Sequence, residues 1–375
     1  MIIGVPKEVK DSETRVALTP DGVSNLIRSG HTVLVEKNAG ILCGFSDRHY
    51  RDAGATILNQ AAKIWKMANL IVKVKEPLPT EFKFFEPGKI LFCYLHLAGV
   101  PQLARALCKK EMIALGYETV QTVNGQLPLL TPMSEVAGRI AVQIGAGLLH
   151  GGGKVGKGLL LGGVTGTRRG TVAVLGGGVV GINAAQVSIG LGAETVLMDI
   201  NPERCRQLRE QFMDKCLVIE STPDNVTAWV RKSDLVIGGV HATGDKTAKI
   251  VTKKMVQQMS PGSVIVDVSI DQGGCVETSR ATTHRRPTYL KYNVLHYCVP
   301  NMPALTPQTS TEALTKATFP YVTRIAELGL EQAMKEEESL RRGLQCQGGK
   351  IVHPVVARLF KSLAAPGVLQ FPAAA

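Results

Sequence analysis

Three side chains capable of binding or acid–base chemistry stand where the sequence predicts that buried strands end. Lys75 closes an alternating apolar run before a Glu-Pro pair, His96 closes six apolar residues, and Asp271 follows an apolar run and precedes Gln-Gly-Gly. Ligands of open α/β sheets bind beyond the carboxyl ends of the strands. An amine, an imidazole and a carboxylate at such ends are therefore candidates for binding or catalysis.

Arg15 is a fourth candidate, in the polar loop after the first predicted strand. Its planar guanidinium group can bind a carboxylate through two hydrogen bonds, which suits a substrate clamp. At this point structural alternatives remain for all four residues: a salt-bridged Arg15, a solvated edge Lys75, a hydrogen-bonded structural His96, and an Asp271 that caps its own turn.

A glycine-rich turn follows the apolar, β-favouring residues 171–175. Its sequence, Gly-Gly-Gly-Val-Val-Gly at 176–181, fits the G-x-G-x-x-G pattern. In this pattern Gly176 allows the tight turn, Gly178 lets a pyrophosphate approach the main chain, and Gly181 lets the following helix pack close to the strand. The first amides of that helix would then face the phosphates.

The next predicted strand, residues 194–198, ends at Asp199. A carboxylate in this position can bind both hydroxyls of the adenosine ribose, and it repels a 2′-phosphate. The order strand, turn, helix, strand and acid therefore predicts dinucleotide binding, with NAD favoured over NADP. Arg204 and Arg206, just beyond, keep NADP open as the alternative. The glycines after Asp271 favour close contact with the nicotinamide.

The composition excludes several classes of function. No run approaches the ~18 apolar residues of a membrane span. The net charge of +12 is spread along the chain without a basic stripe, and aromatic residues are only 5%, which argues against nucleic-acid binding. Eight scattered cysteines lack metal-type spacing and indicate reduced thiols. We therefore expect a cytoplasmic protein that binds no membrane, no nucleic acid and no metal.

Strand and helix patterns alternate along the chain, which predicts an α/β protein. The first third is typical of a βα series with mostly parallel strands, and helical patterns after Gln308 indicate that the chain returns to complete that domain. We expect two doubly wound Rossmann-like domains with a cleft between them. Residues 1–128 and 307–375 would form a discontinuous substrate domain, and residues 129–306 the NAD-binding domain.

Several further segments, in order along the chain, resemble the alanine dehydrogenase family. They are Gly-Val-Pro-Lys-Glu at 4–8, Arg-Val-Ala-Leu-Thr-Pro at 15–20, Val-Lys-Val-Lys-Glu-Pro at 72–77, Tyr-Leu-His-Leu-Ala at 94–98, Pro-Met-Ser-Glu-Val-Ala-Gly-Arg at 132–139, Val-Asp-Val at 266–268 with Asp-Gln-Gly-Gly-Cys at 271–275, and Val-Pro-Asn-Met-Pro at 299–303.

The resemblance implies NAD-dependent, reversible oxidative deamination of L-alanine to pyruvate and ammonium by a homohexamer. It implies that Arg15 and Lys75 hold the substrate carboxylate. It also implies that His96 and Asp271 are the acid–base groups. Cofactor contacts are implied at Ser134, Val179, Val180, Asp199, Arg204, Ser221, Val240, Val268, Ser269, Ile270, Asp271, Arg280, Val299, Pro300, Asn301 and Met302. His241 stands where the family has an apolar residue, and we expect it to lie near the cofactor.

Two other functions fit parts of the pattern. The NAD-binding subunit of a proton-translocating transhydrogenase resembles this chain in both domains. That function would leave His96 and the Asp271 turn without a substrate role. A dinucleotide-binding regulator or a basic nucleic-acid binder, in either case without turnover, is the third possibility.

Overall fold

The computed structural model describes residues 1–151, 155–240 and 247–368. The chain forms two compact units, one of Met1–Met133 together with the chain from Ala304 onward, and one of Ser134–Pro303. The first unit is therefore discontinuous in sequence. The assignment of one domain to the substrate and the other to the cofactor stays a prediction.

The described residues contain strands in both units and helices on the connections between them. In chain order the strands are β1 (Ile2–Val5), β2 (Thr32–Glu36), β3 (Thr56–Leu58), β4 (Leu70–Val72), β5 (Ile90–Cys93), β6 (Ile113–Gly116), β7 (Thr171–Leu175), β8 (Glu194–Asp199), β9 (Leu217–Glu220), β10 (Leu235–Gly238), β11 (Val264–Asp267), β12 (Thr288–Lys291), β13 (Val294–Tyr297), β14 (Leu344–Gln347) and β15 (Lys350–Ile351). The helices are α1 (Pro20–Arg28), α2 (Asp47–Asp52), α3 (Ala61–Met67), α4 (Pro101–Lys109), α5 (Thr131–His150), α6 (Val179–Gly190), α7 (Pro202–Phe212), α8 (Pro223–Lys232), α9 (Lys253–Gln257), α10 (Pro307–Leu328), α11 (Leu330–Glu336), α12 (Glu338–Arg342) and α13 (Pro354–Leu359).

The sheet of the first unit has the strand order β15-β14-β6-β5-β4-β1-β2-β3. Strands β1 to β6 run parallel, and the order reverses between β1 and β4. Strands β14 and β15 add an antiparallel edge beside β6. The carboxy-terminal part of the chain therefore completes this sheet.

The sheet of the second unit has the order β12-β13-β11-β10-β7-β8-β9. All of its pairs are parallel except β12 with β13, which forms an antiparallel edge, and the order reverses between β7 and β10. Both sheets thus have the doubly wound arrangement of Rossmann-like domains, and the predicted fold class is confirmed.

Helix caps arise at two pairs that are typical of a helix start in the sequence, Thr-Pro at 19–20 and Asn-Pro at 201–202. The Thr19 hydroxyl accepts a hydrogen bond from the amide of Gly22 at 3.2 Å, and Pro20 occupies the first turn of α1. The Asn201 side chain caps α7 by accepting from the amides of Glu203 and Arg204. These local bonds satisfy amides that have no partner within the helix.

Asp234, directly before β10, binds the segment that precedes β7 and the first residue of β7. Its carboxylate accepts from Lys157 Nζ at 2.6 Å, from Arg168 NH1 at 2.8 Å and from the amide of Thr171 at 3.0 Å. Burial would raise the pKa of Asp234, but its hydrogen bonds with Arg168, Lys157 and Thr171 outweigh that effect and lower it to about 2. The buried carboxylate is therefore ionised and paired at neutral pH.

The expected strand ends were wrong by a few residues. Strands β4, β5 and β11 end three or four residues before Lys75, His96 and Asp271. Amides beyond β4 and β5 donate to the carboxylates of Glu8 and Glu118, and a 3₁₀ helix follows β11. Because side chains replace the ladder partners, the chain leaves each sheet before the apolar pattern stops.

Apolar side chains fill the core on the faces of both sheets. The eight cysteines are buried and unpaired, as small apolar residues of the core often are. Burial raises the pKa of Cys275 and of Cys298, which lie near the expected nicotinamide side, so neither thiol is activated. Among the described helices, none combines the length and the apolar character that crossing a membrane requires.

Candidate functional site

The candidate substrate residues follow neighbouring strands of the first unit. Arg15 comes after β1, Lys75 after β4 and His96 after β5. Strands β1 and β4 flank the position where the strand order reverses. Open α/β sheets bind ligands at this kind of position, beyond the carboxyl ends of the strands.

One aromatic ring joins Lys75 and His96. The ammonium of Lys75 lies 5.4 Å from the centre of the Tyr94 ring, and the rings of Tyr94 and His96 are 5.7 Å apart. Tyr94 is buried, and its hydroxyl donates to the main-chain oxygen of Leu129 at 2.6 Å. Burial raises the pKa of Tyr94, so the phenol stays neutral. The structure therefore brings an amine and an imidazole together on a rigid neutral support.

The neighbouring Lys73 has a different environment. It is fully buried, and its ammonium lies 3.3 Å from Glu8 and 3.1 Å from Glu81. Burial would lower the pKa of Lys73, but the two carboxylates outweigh it and raise that pKa above its ordinary value. Lys73 therefore belongs to a buried ion cluster, which leaves Lys75 as the lysine suited to a ligand.

His96 has an unusual backbone conformation. Its φ is 48° and its ψ is 37°, in the left-handed region that disfavours a side chain with a Cβ. Its amide donates to Glu118 Oε1 at 2.8 Å, and the amide of Leu95 donates to Glu118 Oε2 at 3.1 Å. The side-chain Nε2 of Gln345 donates to the same carboxylate, that of Glu118, at 3.0 Å. A strained turn held in this way is a feature of functional sites.

The imidazole of His96 contacts a buried carboxylate. Nδ1 lies 3.1 Å from Glu76 Oε2, and the Glu76 side chain is only 5% exposed, against 42% for His96. The other oxygen of Glu76 accepts from Lys10 Nζ. Burial would raise the pKa of Glu76, but the hydrogen bonds with His96 and Lys10 lower it to about 2.

Arg15 is buried and its guanidinium group has a carboxylate partner. Nε donates to Glu13 Oε1 at 2.7 Å and NH2 donates to Glu13 Oε2 at 2.6 Å. NH1 lies 2.9 Å from the sulfur of Met133. Burial would lower the pKa of Arg15, but Glu13 keeps it above its ordinary value. The salt bridge that the sequence left open for Arg15 is thus present, as a buried pair with Glu13 in which two parallel hydrogen bonds fix the plane of the guanidinium.

The glycine turn of the second unit has the close approaches that its sequence predicts. Gly176 has a φ of 97°, and a Cβ on Gly181 would stand 1.8 Å from the Gly176 main-chain oxygen. A Cβ on Gly178 would meet nothing within 4 Å. Gly178 also precedes the first turn of α6, whose amides point toward the turn. These features fit a pyrophosphate that approaches the main chain at Gly178.

Asp199 is the last residue of β8 and contacts this turn. Its Oδ2 accepts from the amide of Gly177 at 2.7 Å, and its Oδ1 accepts from the amide of Asn201 at 2.9 Å. Arg204 Nε donates to the main-chain oxygen of Gly177 at 3.0 Å. The carboxylate is therefore fixed beside the glycine turn, and its contact with a ribose diol stays a prediction.

The loop after β11 is held by groups other than Asp271. Asp271 is exposed at the end of a 3₁₀ helix that includes Val268, Ser269 and Ile270. The carboxylate that caps the loop is the buried Asp267, which accepts from the amides of residues 275 and 276 at 3.0 and 3.2 Å. The capping role that the sequence left open for Asp271 is thus performed by Asp267.

The remaining expected cofactor residues lie in the first turns of α5 and α6 or beyond the ends of β9, β10 and β13: Ser134, Val179, Val180, Ser221, Val240, Val299, Pro300, Asn301 and Met302. Arg280 packs its guanidinium 4.3 Å from the centre of the Tyr289 ring. His241 lies outside the described residues. Because most of these positions follow parallel strands, they gather at one edge of the second sheet.

Sequence reasoning missed the polar residues that hold the candidates in place. Glu13 lies two residues before Arg15 and Glu76 lies next to Lys75, so their positions in the sequence could have drawn attention to them. The residue that Glu76 contacts is nevertheless His96, twenty residues further along the chain. Glu118, two residues beyond β6, and Gln345, in β14, hold the turn at His96. No local pattern marks these two residues, because only the sheet order brings their strands together.

The fold and the glycine turn together place the chain in the class of Rossmann-type α/β proteins. Residues 4–137 match the family model of the alanine dehydrogenase/PNT N-terminal domain, and residues 141–354 match that of the C-terminal domain. The chain belongs to the alanine dehydrogenase/PNT family.

Relatives and solved structures resemble the chain over most of its length. An alanine dehydrogenase of Bacillus subtilis (strain 168) is 52% identical over 359 residues, covering 96% of this chain and 94% of the relative. One of Geobacillus stearothermophilus is 49% identical over 364 residues, covering 95% and 96%. A solved L-alanine dehydrogenase superimposes with a TM-score of 0.93 at 46% identity, covering 97% and 100%. A transhydrogenase from Sinorhizobium meliloti has a TM-score of 0.80 at 23% identity, covering 94% and 99%, and shares the fold alone.

Proposed function

We propose that this protein catalyses the NAD-dependent, reversible oxidative deamination of L-alanine to pyruvate and ammonium. The observation that carries the proposal is the identity of about half of all positions with alanine dehydrogenases over nearly the whole chain. The match to a transhydrogenase is much weaker, at 23% identity, which favours a dehydrogenase over a transhydrogenase subunit. The presence of all four candidate residues, Arg15, Lys75, His96 and Asp271, also argues against a regulator without turnover.

Arg15 and Lys75 would hold the substrate carboxylate. Lys75 offers a compact cation on the Tyr94 ring, and Arg15 offers a guanidinium whose plane Glu13 fixes. Two cations of different geometry would fix the orientation of the carboxylate as well as its position. Orientation of this kind lowers the barrier because the entropy is lost on binding rather than in the reaction.

His96 would carry the proton transfers. Deamination requires the substrate ammonium group to lose a proton, and hydrolysis of the imine requires a water molecule to be activated. An imidazole, with an ordinary pKa of about 6.5, exchanges protons well near neutrality. The exposed ring of His96 on its buried support is suited to this role. Asp271 would position the water or the nicotinamide ribose.

The residues of the second unit fit NAD. Gly176, Gly178 and Gly181 would admit the pyrophosphate, and Asp199 would bind the adenosine ribose. The other contacts would come from the strand-end and helix-start residues named above, with His241 expected nearby. When bound, NAD accepts the hydride from the substrate Cα. The protein contributes binding, orientation and proton transfer.

We also propose that the protein is a cytoplasmic homohexamer. The resemblance to the family supports the assembly, and eight buried cysteines without disulfides fit a reducing compartment. Light scattering after size exclusion measures the mass of the assembly, and a mass other than six chains would contradict the proposal.

The test of function is an initial-rate assay that follows NADH absorbance. We expect NADH to form when L-alanine and NAD are added, and to be consumed with pyruvate and ammonium. The same assay with serine or glycine in place of alanine, and with NADP in place of NAD, compares the alternative substrates and the alternative cofactor. NADH binding without turnover in either direction would instead support a dinucleotide-binding protein, and a salt-dependent shift of DNA would support a nucleic-acid binder.

A further inference from the structure

The contact between Glu76 and His96 joins a buried charge to an exposed imidazole. The Glu76 side chain is 5% exposed, and one of its oxygens lies 3.1 Å from His96 Nδ1. Its other oxygen accepts from Lys10, whose side chain is 36% exposed. A buried carboxylate is costly unless it is paired, so the position of Glu76 depends on these two partners.

The ionisation of Glu76 determines which nitrogen of the imidazole carries hydrogen. Its pKa of about 2 leaves the carboxylate ionised near neutrality, and an ionised carboxylate only accepts hydrogen bonds. Nδ1 must therefore carry the hydrogen of this contact. In the neutral ring Nε2 is then the nitrogen that accepts a proton.

Two further groups contact His96, one at its ring and one at its main chain. The Tyr94 ring lies 5.7 Å away at an angle of 30°. Glu118 holds the main-chain amide, at 2.8 Å. The charged groups around the imidazole are thus Glu76 with Lys10 on one side, Glu118 at its backbone, and Lys75 across Tyr94.

We propose that Glu76 is a positioning residue for His96, which orients the imidazole through Nδ1 so that Nε2 exchanges the proton of alanine deamination and of its reverse. This inference rests on the proposed function. A base oriented by a third group is a recurring arrangement of acid–base catalysis. Glu76 acts through His96 and needs no contact with the substrate.

Glu81 provides a matched control for the loss of a buried carboxylate. Its exposure is 4%, close to that of Glu76, and its carboxylate also has a lysine partner, at 3.1 Å. That lysine is Lys73, in the buried cluster rather than beside His96. A general effect of removing a buried charge should therefore arise equally from Glu76→Gln and Glu81→Gln.

The first experiment compares these two variants with the wild type. We expect Glu76→Gln to lower kcat for alanine by at least about tenfold, with KM for alanine and the dissociation constant of NADH changed less than about threefold. We expect Glu81→Gln to change kcat less than about twofold. An equal loss in both variants, or no loss in Glu76→Gln, would overturn the proposal.

A double-mutant cycle separates this proposal from the proposed function. Because Glu76 acts only through His96, Glu76→Gln should have almost no further effect in a His96→Ala background. A further tenfold loss there would overturn the positioning role alone. A fully active His96→Ala enzyme would overturn the acid–base role of His96, and the positioning role with it. A wild type without alanine turnover would refute the proposed function itself.

The pH dependence gives a second measurement, and the part of it made on Lys10→Ala does not depend on the folding of Glu76→Gln. Removing the carboxylate should move the pH midpoint of kcat/KM for alanine downward, because a nearby negative charge favours the protonated imidazole. Lys10→Ala, which leaves Glu76 unneutralised, should move it upward by roughly half a pH unit or more. An unmoved midpoint in Lys10→Ala would contradict the coupling.

Discussion

Replacing Asp199 with asparagine should move the cofactor preference from NAD toward NADP. The carboxylate is fixed at the end of β8 by the amides of Gly177 and Asn201, at 2.7 and 2.9 Å. Asparagine has the same shape and keeps one acceptor oxygen, so this change removes the charge and one of the two hydrogen bonds. Glycine or alanine would remove these hydrogen bonds as well, and NAD binding should then also weaken.

The expected size follows from the charge repelled. A carboxylate and a 2′-phosphate with a charge of about −2, when they are roughly 5 Å apart in water, repel each other with an energy of about 1.7 kcal/mol. A tenfold change corresponds to about 1.4 kcal/mol. The ratio of kcat/KM with NAD to that with NADP should therefore fall by at least about tenfold in the Asp199→Asn variant.

The assay measures kcat/KM for both cofactors at saturating alanine. Glu220 provides the control, because it pairs with Asp199 in the neighbouring strand and is exposed. Glu220→Gln should change the ratio by less than about twofold. An unchanged ratio in Asp199→Asn would refute the reasoning, and Arg204, which binds the glycine turn, would become the residue to test. An equal change in Glu220→Gln would show that the general field, rather than the contact, controls the preference.

The other predictions concern the substrate, the proton and the stability of the second unit. Arg15→Ala and Lys75→Ala should each raise KM for pyruvate, since losing a charged hydrogen bond costs roughly 1.5–3 kcal/mol; a loss of NADH affinity with an unchanged KM would contradict this. His96→Ala should lower the rate by at least about 10²-fold with NADH binding kept. In the wild type, the rate of deamination should rise with pH and the rate of reductive amination should fall. If His96→Ala kept the wild-type rate and pH profile, the proton-transfer role would pass to Asp271 or Lys75. Asp234→Asn should destabilise the fold by about 2 kcal/mol at neutral pH, because the pKa of Asp234 is lowered from 3.8 to about 2. This contribution to stability is present above the ordinary pKa and is lost as pH falls through the pKa of the folded state. The denaturant midpoints of wild type and variant should therefore converge between pH 4 and 2. A difference that stays constant over this range would contradict the role of Asp234 as an ionised, paired carboxylate.

Local sequence patterns predicted those parts of the protein whose chemistry depends on near neighbours. The caps at Thr19 and Asn201 need only amides two or three residues away. The glycine turn is equally local, since the backbone approach of Gly181 to Gly176 excludes any larger residue. The alternation of strands and helices then predicted the doubly wound class, because parallel strands require helical crossovers.

The tertiary structure decided which polar groups meet. Lys73 and Lys75 lie on the same apolar alternation, and the sequence separates them only by the position of Lys75 at its end, before a Glu-Pro pair. Strand β4 ends before both, and the carboxylates that surround Lys73 come from Glu8, beyond β1, and Glu81, in the connection between β4 and β5. The same holds for the turn at His96, which depends on Glu118 and on Gln345 from the returning chain. Local propensity acts over a few residues, whereas burial and pairing of charges depend on strand order, and only the folded chain sets that order.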